Sequence, residues 1–214
     1  MLQHKVFPEC GNSVACRIFC RWKVHARLIL SWLILIDLLS SCSSSTGPDI
    51  EGEALVELLK VLNDSNKMIN DWNNNFVSPC FSWSHITCRN GNVISLSLAS
   101  KGLSGTLSPS ITELKFLISL ELQNNNLSGV LPDYLSSMAH LQNLNLANNS
   151  FTGSIPTTWG QLANLKHLVA SRNKLSGYIP DSLANITGLS ELVLSFNSFT
   201  GRIPTRLFSV PIFE

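Results

Sequence analysis

Residues 117–138 read Leu-Ile-Ser-Leu-Glu-Leu-Gln-Asn-Asn-Asn-Leu-Ser-Gly-Val-Leu-Pro-Asp-Tyr-Leu-Ser-Ser-Met, and this order of apolar, Asn, Gly and Pro residues returns every 24 positions without an insertion. Aligned on the opening residue, Val93, Leu117, Leu141, Leu165 and Leu189 fall into one column. Leu96, Leu120, Leu144, Leu168 and Leu192 form another, three positions later. In Leu120-Glu121-Leu122 the two leucines share a face and Glu121 takes the other, which is the alternation of a short strand with one buried side. A unit this small cannot enclose its own leucines. Successive units must stack, so their strands pair in parallel and their outward residues merge into one ribbon on the concave side.

A 24-residue period built on L-x-x-L-x-L-x-x-N-x-L is the leucine-rich repeat signature. The ladder column reads Lys101, Asn125, Asn149, Asn173 and Asn197. An amide at that place can satisfy backbone groups of the neighbouring turn that no strand reaches, so its role is structural. Leu127-Ser-Gly129-x-Leu131-Pro132 and its successors through Phe199-Thr-Gly201-x-Ile203-Pro204 add a second punctuation. Glycine there admits a positive φ and proline fixes an extended segment. Leu135 and Leu183 then suit a short helical return on the convex side. The expected fold is an α/β solenoid, a right-handed superhelix of five repeats over residues 92–208. The L-x-G-x-I-P form resembles the plant-specific class of leucine-rich repeat, found mostly in receptor ectodomains and secreted inhibitors.

With 214 residues, 44% of them hydrophobic, the chain can build one domain of ordinary size. The net charge of +1 comes from the first 42 residues, where Lys5, Arg17, Arg21, Lys23 and Arg27 face only Glu9 and Asp37. From Ser43 onward ten Lys and Arg stand against twelve Asp and Glu, so no clustered basic face supports nucleic-acid binding. A basic stretch from Arg21 to Arg27 precedes an apolar run, Leu28 to Leu39, broken only by Ser31 and Asp37, and then small residues from Ser40 to Thr46. That is a secretory signal layout, with cleavage expected between Cys42 and Gly47. The other readings are a membrane anchor or a core helix, but the run falls well short of the roughly 20 residues of a spanning helix. Residues 1–46 are therefore read as leader, 47–91 as an N-terminal cap and 209–214 as a truncated end. Cys10, Cys16 and Cys20 in the leader match no zinc-ligand spacing.

Export leaves Cys80 and Cys88 as an even pair, which favours a disulfide, with Cys42 at the margin. The pair lies just upstream of the first repeat, where an open solenoid end needs a lid over its leucines. Residues 53–62 place Ala54, Leu55, Leu58, Leu59 and Leu62 on one helical stripe, with Trp72 and Trp83 expected beneath it.

With cap and repeats in view, the chain resembles the ectodomains of plant leucine-rich repeat receptor kinases, and the somatic embryogenesis receptor kinase group in particular. The resemblance rests on Ala54-Leu55-x-x-Leu58, Asp71-Trp72-Asn73, Ser78-Pro-Cys80 to Cys88, Leu103-Ser-Gly-x-Leu107-Ser-Pro-x-Ile111 and Leu117 to Leu127. It covers the chain from Asp49 to Phe213. It implies a co-receptor module whose small ectodomain is drawn against a larger receptor carrying a bound hormone or peptide. The chain departs from that pattern after Phe208, with no second cysteine pair, membrane helix, His-Arg-Asp, Asp-Phe-Gly or glycine-rich nucleotide loop. Three expectations follow: a secreted or cell-surface recognition module, a truncated ectodomain of a membrane serine/threonine receptor kinase, or a secreted inhibitor of wall-degrading enzymes. The family's co-receptors carry aromatic residues on the concave ribbon. This chain instead offers Asn143, Lys166 and other polar residues there, with Phe196 the main exception.

The residues expected to line the binding surface are Glu121, Gln123, Asn145, His167, Val169, Arg172, Glu191, Val193 and Phe196. The plainer reading of them is a solvated face. The family's matching cap histidine faces the partner, which adds His85; a histidine that only hydrogen-bonds locally is the alternative. Sequons at Asn63, Asn126, Asn148 and Asn185 are candidate glycan acceptors in an exported chain. His85, His140 and His167 belong to no catalytic or metal motif, so no enzyme, cofactor or metal is expected. The expected partner is an extracellular leucine-rich repeat receptor, a peptide ligand, or both.

Overall fold

A computed structural model describes residues 49–72 and 78–213. The leader, its Cys10, Cys16, Cys20 and Cys42, and the signal reading lie outside the described residues.

The cap opens with α1 (Ile50–Val61) and the short β1 (Leu62–Asn63). Asp49 caps α1 by accepting from the Gly52 N–H at 3.0 Å, so the helix starts three residues earlier than the apolar stripe alone suggests. Glu51 and Glu53 in its first turn and Lys60 in its last complement the helix dipole. Next come α2 (Pro79–Ser82), with Ser78 as its N-cap, and β2 (Ile86–Arg89). The Cys80–Cys88 disulfide ties these two together. Trp72 and Trp83 stack at 5.8 Å between ring centroids, and the indole N–H of Trp72 donates to the Ser84 carbonyl at 3.0 Å. Asp71 accepts from both the N–H and the hydroxyl of Ser84, which pins the Trp72 segment against α2 and its following turn.

Each coil then contributes two strands. The first holds β3 (Asn92–Ser97) and β4 (Ser104–Gly105), the second β5 (Ser119–Glu121) and β6 (Asn126–Val130). The third holds β7 (Asn143–Asn145) and β8 (Ser150–Gly153), the fourth β9 (His167–Val169) and β10 (Lys174–Gly177). In the fifth are β11 (Glu191–Val193) and β12 (Ser198–Phe199), and β13 (Ile212–Phe213) follows. One sheet runs β2-β3-β5-β7-β9-β11-β13, all parallel except β2, which is antiparallel to β3. The other runs β1-β4-β6-β8-β10-β12. Every coil closes through a 3-10 turn, from Pro109–Glu113 in the first to Thr205–Ser209 in the fifth.

The 24-residue register makes Leu96, Leu120, Leu144, Leu168 and Leu192 direct cross-strand partners, each at most 1% exposed. The ladder asparagines link coil to coil. Asn149 donates to the carbonyls of Leu122, Leu146 and Ala147 and accepts from the Leu127 N–H at 3.0 Å. Asn125, Asn173 and Asn197 repeat the pattern. Lys101 lacks the amide, but its own N–H donates to Asn125 Oδ1.

At the far end Leu207 is fully buried. The reason is β13: it pairs with β11 and brings Phe213 against the core, while Phe208 remains 63% exposed. No helix among the described residues is long and apolar enough to cross a membrane.

Candidate functional site: the concave ribbon

Strand alternation delivers the outward residues in columns. One column runs Ser95, Ser119, Asn143, His167 and Glu191, and the next Ser97, Glu121, Asn145, Val169 and Val193. Glu121 is held by two neighbours, accepting from Ser97 Oγ at 2.8 Å and from Ser119 Oγ at 3.4 Å. His167 Nδ1 lies 3.0 Å from Glu191 Oε2, joining the fourth and fifth coils. Asn145 Oδ1 accepts from the Ala147 N–H at 3.1 Å. Gln123 follows β5, and its Oε1 is buried without a protein hydrogen-bond partner. These side chains are half-buried, whereas Val193 is only 9% exposed.

Arg172 and Phe196 occupy a different place from the strand residues. Both sit in the left-handed turn that precedes the ladder asparagine, with φ of 53° and 57°. Ser100, Asn124 and Asn148 hold the equivalent turns of the first three coils. Spacing predicts one surface shared by Arg172, Phe196 and the strand residues, without distinguishing turn from strand. The signal that separates them is their position directly before Asn173 and Asn197.

His85 lies in the cap with φ of 66°, and its carbonyl accepts from the Ser97 N–H at 2.9 Å, so the cap turn is fixed to the end of β3. The structure therefore brings Glu121, Asn145, His167, Val169, Glu191 and Val193 onto one sheet, with Gln123 at its margin, Arg172 and Phe196 along an edge, and His85 at the cap end. Ser97 and Ser119 are additions that no motif marked.

The sequon asparagines are all exposed, Asn63 in β1, Asn126 at the start of β6, Asn148 in its left-handed turn and Asn185 at the end of a 3-10 turn. Among the described residues no group of three His, Cys, Asp or Glu side chains is placed to hold a metal ion. The fold of the described residues is cap and repeats, with no kinase domain. What the ribbon offers chemically is a rigid polar surface with anchored carboxylates, suited to recognition.

Leucine rich repeat models match residues 116–138 and 139–199, and the leucine rich repeat N-terminal domain model matches residues 48–89. An LRR receptor-like serine/threonine-protein kinase of Arabidopsis thaliana is 50% identical over 98 residues, which are 46% of this chain and 16% of that protein. A chain of the BIR3–SERK2 complex from Arabidopsis thaliana superposes with a TM-score of 0.70 at 34% identity, covering 75% of this chain and 89% of that one. A chain of the Arabidopsis receptor kinase HAESA in complex with the peptide hormone IDA and the co-receptor SERK1 gives a TM-score of 0.58 at 29% identity, covering 76% of this chain and 32% of that one. The chain thus spans about a sixth of the curated receptor kinase and about nine-tenths of the matched chain from the first complex.

Proposed function

Because the chain belongs to the family of plant leucine-rich repeat receptor-like kinase ectodomains, we propose that it is an extracellular recognition module of the co-receptor type. It docks through the cap and the concave ribbon onto a partner receptor ectodomain, with or without that receptor's bound peptide. Support comes from the solved complexes among its structural neighbours, one of which joins a receptor kinase, a peptide hormone and a co-receptor. The observation that carries the reading is the anchored ribbon. Glu121 is fixed by Ser97 and Ser119, and Glu191 by His167, so two carboxylates face outward with little rotamer freedom left to lose on binding. Solenoids commonly use this face for partners.

Export, glycans on the four sequons, and signalling through kinases that the partners bring together belong to the same proposal. The test is capture of the secreted chain by a panel of immobilised plant receptor ectodomains, with and without their peptides. Glu121→Ala and Glu191→Ala together are expected to weaken capture at least tenfold while the melting temperature holds. Capture that is unchanged in the double variant overturns the ribbon assignment.

A further inference from the structure

The residue before the ladder position has left-handed backbone in all five coils, at Ser100, Asn124, Asn148, Arg172 and Phe196, with φ from 53° to 60°. Asparagine tolerates that conformation better than most side chains. In the first three coils the side chains at this place bond from coil to coil: Asn148 Nδ2 donates to Asn124 Oδ1 at 3.1 Å, and Asn124 Nδ2 donates to Ser100 Oγ at 3.2 Å. The last two coils break the pattern. Arginine and phenylalanine lie outside that chain of bonds and carry the steric cost of the left-handed region, and strained non-glycine positions concentrate at binding sites.

The side chains supply a reason. The Arg172 guanidinium lies 4.3 Å from the Phe196 ring centroid, bridging the fourth and fifth coils. Phe196 is 67% exposed, and no carboxylate among the described residues pairs with Arg172. A guanidinium stacked on a ring keeps its edge N–H donors free in a planar fork that matches a carboxylate. In the strands of the same two coils one of the two outward columns turns apolar, with Val169 and Val193 where the earlier coils have Ser97, Glu121 and Asn145, while the other holds His167 and Glu191.

We propose that Arg172 and Phe196, backed by Val169 and Val193, form a subsite for an extended peptide segment that presents an apolar side chain beside a carboxylate. Arg172 takes the carboxylate and Phe196 the apolar group. This rests on the concave face being the recognition surface, and adds which end of it reads a peptide and by what chemistry.

The probe is an array of immobilised decapeptides in a Gly-Ser background, carrying Leu-Asp, Leu-Asn, Ser-Asp or Ser-Asn at the centre, exposed to the full secreted chain. Leu-Asp is expected to be retained about tenfold over Leu-Asn, the discrimination of one charge-assisted hydrogen-bond pair. R172Q should erase the Asp preference and keep the Leu preference, F196S should do the reverse, and R172K should restore only part because it lacks the fork. Where a variant lowers the melting temperature, R172K and F196L carry the comparison. Equal retention of Leu-Asp and Leu-Asn by the natural chain, or both preferences surviving R172Q and F196S, overturns the proposal. If receptor capture through Glu121 and Glu191 persists while the array shows no preference, the subsite falls and the recognition reading stands. If neither is seen, both fall.

Discussion

Val93 donates its backbone N–H to Glu51 Oε2 at 2.9 Å, so a single carboxylate joins the cap helix to the first strand of the ladder. Burial raises the Glu51 pKa above 4.5, against the lowering effect of that hydrogen bond and with a further raising contribution from the Asp49 charge. For an acid whose folded pKa lies above its unfolded one, the native state holds more protons between the two values, so stability falls as pH rises through that window. The contribution is fully present below the unfolded value and gone above the folded one. E51Q keeps an acceptor for Val93 and removes the titration. Melting curves from pH 4 to 7 should therefore show a shallower decline in E51Q than in the natural chain, and parallel curves would remove Glu51 from the account.

The disulfide closes a short loop, with eight positions separating Cys80 from Cys88. C80S should cost about 2–3 kcal/mol by the chain-entropy estimate for so short a loop. Urea denaturation of natural and substituted chains measures this, and a reductant should bring the two curves together.

Asn149 answers four backbone groups drawn from its own coil and the one before it. N149A leaves the Leu127 N–H and the Leu122 carbonyl without that partner, an expected loss of about 2–4 kcal/mol. N149D keeps the acceptor but sets a carboxylate oxygen against the Leu122, Leu146 and Ala147 carbonyls, so it should be no more stable than N149A. Equal stability of N149A and the natural chain in urea would show that water replaces the ladder.

Two glycines of the same column differ in what surrounds them. A Cβ at Gly105, whose φ is 99°, would come 2.3 Å from the Val61 carbonyl oxygen, which is backbone and cannot swing away. At Gly201, φ 81°, it would meet the Tyr178 ring at 2.2 Å, but that side chain is 71% exposed and free to move. G105A should thus cost more than about 2 kcal/mol and G201A about 1 kcal/mol, the latter being mainly left-handed strain. Thermal unfolding of the pair gives the order directly.

The solenoid was legible because each structural need repeats at one interval. Leu96 to Leu192 and Asn125 to Asn197 recur at 24, and the structure makes the leucines cross-strand partners and the asparagines inter-coil linkers. The cap was legible from its stripe of Leu55 and Leu58 and from the cysteine pair, although the helix start needed the Asp49 bond to Gly52, a three-residue signal that the apolar stripe does not carry. The ribbon was legible only in outline. Alternation puts Glu121 and His167 outward, but it says nothing of backbone sign, so it does not show that Arg172 and Phe196 sit in a left-handed turn. Nor does spacing reveal that Ser97 and Ser119 hold Glu121, since each of those serines is unremarkable until the coils are stacked. The burial of Leu207 depended on β13, a two-residue strand outside the repeat pattern.

The most direct test of the central claim is hydrogen–deuterium exchange on the chain, free and bound to whichever receptor ectodomain captures it. Slowed exchange in the peptides that span β5, β7, β9 and β11 and the His85 turn, with the 3-10 returns at Pro109–Glu113 and Thr157–Gln161 unchanged, is the result the concave-face account predicts. Protection confined to those convex returns, with the ribbon strands exchanging as in the free chain, would contradict it.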